Sequence, residues 1–137
     1  MTRTDVGLVA IGGTLGTGLR YLAAATVPPW VGLPMSTLGV NVVGAFLLGI
    51  LLERLARGGV DNRRGRRLRL LVGTGGLGGF TTYSTLATDT ATLLGAHPGR
   101  ALGYAFATVV LGGLATAAGI LLARPGGGDA TAGTTGS

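Results

Sequence analysis

The chain has 137 residues, of which 47% are hydrophobic and only 12% charged, and its mean hydropathy is +0.55. That composition excludes an ordinary soluble domain and leaves a small integral membrane protein with little mass outside the bilayer. With no cysteine, and with its single histidine, His97, in a Gly-Ala-His-Pro-Gly turn, the chain has no disulfide framework, thiolate metal site or histidine-based acid–base centre.

Four windows are long enough to cross a hydrocarbon core, which takes about 20 apolar residues in a helix. They cover roughly residues 6–27, 31–55, 68–94 and 100–123. The expected fold is all-α, with four transmembrane helices forming one membrane unit over residues 1–124. In the first window, Arg3 precedes an apolar run and Ala23-Ala24-Ala25 follows it, as in a signal peptide. Arg20 interrupts that pattern and apolar residues resume at Tyr21 and Leu22, which favours a retained helix. Gly12 and Gly16 form a small-xxx-small pair that admits a neighbouring helix closely. Arg20 must snorkel, meet a carbonyl or carboxylate, or face water; the functional reading is a basic group at the mouth of an anion path.

Pro28, Pro29, Trp30 and Pro34 end the first window, with the indole at interfacial depth. The second helix has Ser36 as its expected N-cap and carries one amide, Asn41, among Leu38, Val40, Val42 and Val43. That amide suits either an interhelical hydrogen bond or donation to an anion in a pore, and the sequence leaves both open. Residues 53–69, ERLARGGVDNRRGRRLR, hold most of the charge. In an otherwise apolar chain they read as a cytoplasmic loop under the positive-inside rule, and not as a nucleic-acid patch. With a cytoplasmic N-terminus, Arg3, Arg54, Arg57, Arg63, Arg64, Arg66, Arg67, Arg69 and Arg124 lie inside, leaving Arg100 outside and Arg20 in or near the first helix. Both termini are therefore expected in the cytoplasm, with the chain in a bacterial inner membrane.

The third window contains GTGGLGGFTTYSTL, residues 73–86. Gly75, Gly76, Gly78 and Gly79 each cost about 1 kcal/mol of helix propensity relative to Ala, so a break is expected around Gly75–Thr81. Non-helical backbone at membrane depth persists only where protein buries it or where it lines a polar cavity. Freed carbonyls there suit a hard cation, whereas the hydroxyls of Thr82, Ser84 and Thr85 and the ring edge of Tyr83 suit an anion. The plain alternative is a glycine-rich packing surface. Asp89, near the far end, reads as interfacial. Thr108 and Thr116 are the polar residues in the body of the fourth helix besides Tyr104, and hydroxyls so placed commonly bond back to their own helix. The tail, residues 125–137, is small, polar and glycine-rich, and is expected to be disordered.

The order GGTLGTGLRY (12–21), STLGVNVVGAFLLG (36–49) and GTGGLGGFTTYSTL (73–86) closely resembles the small bacterial fluoride channels of the Fluc/CrcB family, over nearly the whole chain except the tail. The resemblance implies a fluoride-selective channel, built as an antiparallel dimer of four-helix subunits with two ion paths, that lowers fluoride toxicity by passive efflux. It implies a structural sodium ion at the dimer interface, held by backbone carbonyls that correspond to Gly78 and Thr81. It assigns Asn41, Tyr83, Ser84, Thr85, Leu86 and Thr116 to the fluoride path and Arg20 to the vestibule. Two departures stand out. The family's TTFSTF reads TTYSTL here, so Tyr83 keeps a polarised ring edge and Leu86 does not. The lopsided arginine distribution also opposes insertion in both orientations, which implies an oppositely oriented paralogue as the dimer partner.

Leu86 keeps open an alternative in which the chain is a non-conducting or partly conducting subunit of a heterodimeric channel. A small proton-coupled drug exporter is the remote alternative, and it needs a membrane-embedded carboxylate in the first helix, where none follows Asp5. No catalytic constellation is present, and no enzyme activity is expected.

Overall fold

The computed structural model describes residues 2–58 and 63–124; the tail expected to be disordered lies outside them. The described residues are helical and contain no strand. The elements are α1 (Arg3–Thr26), α2 (Met35–Arg57), α3 (Arg63–Leu68), a π-helical segment (Arg69–Leu77), α4 (Gly78–Phe80), α5 (Tyr83–Ala96) and α6 (Pro98–Ala123).

A reciprocal cap starts α1. The Thr2 hydroxyl accepts from the Asp5 amide at 3.3 Å, and the Asp5 carboxylate accepts from the Thr2 amide at 2.7 Å. Past Thr26 the chain turns between Trp30 and Leu33, which exchange backbone hydrogen bonds of 3.1 and 2.9 Å across Val31 and Gly32, both left-handed with φ of 52° and 72°. Helix α2 then starts at Met35, with Pro34 at the cap position and no side-chain cap. Ser36, the expected cap, sits in the first turn instead. The cap position falls to Pro34 because its carbonyl accepts the first helical bond, from the Leu38 amide at 3.4 Å.

Helices α1, α2 and α6 are long and apolar enough to cross a membrane. Burial is inverted relative to a soluble protein. Among the described residues only Val40, Leu77, Leu86, Ala101 and Tyr104 form a buried apolar core, while Asp5, Thr37, Thr82 and Thr108 are buried as deeply and large apolar side chains such as Leu19, Phe106 and Leu122 face outward. An apolar exterior around polar interior groups is the arrangement a bilayer solvent favours.

Helix α1 packs on the π segment and α4, and α2 packs on α6. Glycines set both contacts. A Cβ on Gly12 would collide with the Leu71 carbonyl, one on Gly75 would come within 2.6 Å of the Val9 carbonyl, and one on Gly119 would collide with the Phe46 carbonyl. The small-xxx-small reading of Gly12 and Gly16 therefore holds as backbone-to-backbone packing.

Ion pairs mark one end of the bundle. Asp5 binds Arg66 at 2.6 Å, and Glu53 binds Arg57 at 2.7 Å and Arg124 at 3.6 Å. The start of α1, the end of α2, the start of the α3–α5 run and the end of α6 are thus together. At the opposite end the Arg100 guanidinium donates to the Val31 carbonyl and the Tyr104 hydroxyl to the Pro34 carbonyl at 3.1 Å.

Candidate ion path

The site is built around a two-residue interruption. Within Gly75–Thr81, where a break is expected, residues 75–80 stay helical, and the extended residues are Thr81 (φ −77°, ψ 154°) and Thr82 (φ −149°, ψ 114°). The glycines widen the winding into a π segment and let α1 approach. They do not unwind the chain, because its peptide groups keep their helical partners. The last turn closes at Thr81, whose amide and hydroxyl both donate to the Leu77 carbonyl, at 2.9 and 2.8 Å.

Two side chains manage the backbone groups the interruption exposes. The Asn41 amide grips the Thr82 peptide from both sides: its Oδ1 accepts from the Thr82 N–H at 2.8 Å and its Nδ2 donates to the Thr82 carbonyl at 3.1 Å. The Thr82 hydroxyl, in turn, caps α5 by accepting from the Thr85 N–H at 3.0 Å. It also donates to the Thr85 hydroxyl at 2.9 Å and lies 3.2 Å from that of Ser84. In a continuous α-helix the Thr82 N–H would bond the Gly78 carbonyl and the Thr85 N–H the Thr81 carbonyl. Both donors are taken by side chains, so these two carbonyls lose their helical partners.

Two cavities flank this clasp. One, of about 270 Å³, is lined by Arg20, Thr17, Ser36, Thr37, Thr82 and Thr85 among others. The second, of about 350 Å³, is lined by Asn41, Thr116, Thr81, Gly78 and Thr74, together with apolar side chains, and has no charged residue. Thr82 belongs to the first and its partner Asn41 to the second. Arg20 is half-buried and has no carboxylate partner among the described residues, so its charge is available to the first cavity.

The sequence-predicted residues divide accordingly. Arg20 and Thr85 meet in the first cavity, and Asn41, Thr116, Gly78 and Thr81 in the second. Ser84 and Tyr83 are exposed, Tyr83 at 83%, and Leu86 is buried. Within one chain, none of these three lines either cavity. Thr116 donates to its own helix at Gly112 (3.0 Å) and across to Ala45 of α2 (3.2 Å), whereas Thr108 donates only within α6, to Tyr104 at 2.8 Å. Asp89 lies within α5, which continues to Ala96, and one of its carboxylate oxygens, Oδ2, is buried without a partner among the described residues. Thr82 was legible as a hydroxyl of the motif, but its central position was not.

A sequence model of the CrcB-like proteins, described as camphor resistance (CrcB), matches residues 7–120, which include every residue of both cavities. The chain belongs to the CrcB family. Among relatives, the fluoride-specific ion channel FluC 2 of Leifsonia xyli subsp. xyli is 49% identical over 116 residues, covering 84% of this chain and 80% of that protein. The fluoride-specific ion channel FluC of Thermus thermophilus is 44% identical over 108 residues, 77% of this chain and 83% of that one. FluC of Methanopyrus kandleri is 42% identical over 120 residues, 88% of this chain and 89% of that one. Family membership, with three bilayer-length helices, makes the chain a multi-pass membrane protein. The CrcB assignment and the five serine and threonine hydroxyls that share a cavity with Arg20 point to ion passage, not to an enzyme.

Proposed function

We propose that this CrcB protein is a fluoride-selective channel mediating passive efflux from the cytoplasm. The observation that carries the reading is the pair of cavities, bearing hydroxyls and an amide, on either side of the Asn41–Thr82 clasp, in a chain similar to proteins named fluoride-specific channels. Fluoride is small and strongly hydrated, so it enters an apolar interior only where donors replace its water. Arg20 concentrates the anion at the first cavity. The Thr85 hydroxyl, which accepts from Thr82 and keeps its own hydrogen free, then takes over, followed by the second N–H of the Asn41 amide and by the Thr116 hydroxyl once it turns from the Gly112 and Ala45 carbonyls. The absence of fixed charge in the second cavity favours release, since conduction requires binding weak enough to leave. An inside-negative potential drives the anion outward by about 2.3 kcal/mol per 100 mV.

The α3–α5 run, including the interruption at Thr81–Thr82, crosses as the third of four spans. The functional unit is an antiparallel dimer in the inner membrane, with the N- and C-termini of this chain in the cytoplasm. Support comes from the ion pairs that hold Arg57, Arg66 and Arg124 at the end where the sequence places nine of its eleven arginines, and from the exposed Tyr83 and Ser84, which a second subunit would bring to a path. The Gly78 and Thr81 carbonyls fit a sodium ion: both are hard oxygen donors stripped of helical partners, Gly78 is exposed, and two oxygens form half of a small shell that a second subunit completes. Bound there, sodium would supply a fixed positive charge between the subunits.

A fluoride-sensitive bacterium lacking its own channel tests the function. Expression of the chain is expected to restore growth in millimolar fluoride, with intracellular fluoride falling on an ion-selective electrode. Unchanged accumulation despite membrane expression would refute it.

A further inference from the structure

Asn41 does more than line a path. Both of its polar atoms are committed to one peptide 41 residues away in sequence, and the peptide they hold is the one whose N–H would otherwise close the helix onto Gly78. Thr82 repeats the device one turn on, taking the Thr85 N–H away from Thr81. We propose that Asn41 and Thr82 form a relay of positioning residues that withholds two backbone donors, keeps the Gly78 and Thr81 carbonyls open to a cation, and thereby couples the cation site to the anion cavities.

This coupling rests on the sodium reading above and goes beyond it, because it assigns the state of that site to side chains that do not touch the ion. The contacts are few and specific. The Thr82 side chain is 6% exposed, and its hydroxyl is held by the Thr85 amide and the Thr85 hydroxyl. If the hydroxyl is removed, the Thr85 N–H is left with one acceptor within reach of a helical turn, the Thr81 carbonyl. The helix then closes over that oxygen and withdraws it from a cation. If the Asn41 amide is removed, the same happens to Gly78 through the Thr82 N–H.

The test uses the full-length purified chain in detergent, with sodium chloride exchanged for N-methylglucamine chloride, and reads thermal unfolding as a function of sodium concentration. Thr82→Val and Asn41→Ala are expected to lower apparent sodium affinity by about tenfold or more, the scale on which outer partners of metal ligands act. Thr82→Ser keeps the hydroxyl and is expected to stay within about twofold of the parent. A purely structural role would lower the melting temperature of Thr82→Val in both salts and leave the sodium-dependent increment intact; that result overturns the relay. A parent chain with no sodium-dependent increment overturns the sodium reading and the relay with it. Where Asn41→Ala fails to fold, the contrast between Thr82→Val and Thr82→Ser decides the matter alone.

Discussion

Individual polar residues in apolar windows were the most legible part of the site. Arg20, Asn41, Thr85 and Thr116 each stand out because a polar group in a bilayer needs a partner, and each lines one of the two cavities. Thr82 was harder to read, because its role depends on which backbone N–H is left without a partner at the interruption. That in turn depends on Asn41 arriving within 2.8 Å from another helix. At the other extreme, Val31 is a β-branched residue held at φ 52°, where such side chains are strained. Val31→Asn is expected to raise stability by about 1 kcal/mol, since Asn tolerates the left-handed region and the side chain is exposed. Thermal unfolding in detergent would register the gain.

At the level of elements, three of the four membrane windows return as helices long and apolar enough to cross a bilayer, and the glycines of the third serve the plain alternative, a packing surface, through the stretch where a break is expected. Glycine lowers helix propensity in water; in a bilayer, with no competing solvent for the peptide groups, the helix persists and the missing side chains become packing surface. Hence the interruption falls at two threonines that a side-chain clasp can hold open. Gly16 shows the packing role most directly, because a Cβ there would collide with the Gly76 carbonyl and approach the Phe80 amide at 2.9 Å. Gly16→Val is expected to force α1 off the π segment and cost about 1–3 kcal/mol, the range for overpacking. Gly18→Ala on the same helix, where nothing lies near the added atom, is expected to be neutral or mildly stabilising by the helix propensity gained. Equal losses in the two variants would contradict this account of α1.

For the whole molecule, the ion pairs at one end and the uncharged turn at Trp30 at the other turn a sequence count of arginines into a sided object. Nine arginines on the side of both termini should fix insertion in one direction. Reporter fusions at the C-terminus are expected to signal from the cytoplasmic side alone; comparable signal from both sides would refute a fixed orientation and the need for an oppositely oriented partner in cells. Detergent imposes no sidedness, so purified copies can pair antiparallel whatever their orientation at synthesis. The most direct measurement is therefore anion release from liposomes containing only the purified chain, loaded with potassium fluoride or potassium chloride and triggered by valinomycin. A path built from this chain's own Arg20, Asn41, Thr82, Thr85 and Thr116 predicts rapid fluoride release with chloride retained. Fluoride release no faster than from protein-free vesicles, or chloride release at a matching rate, would contradict it.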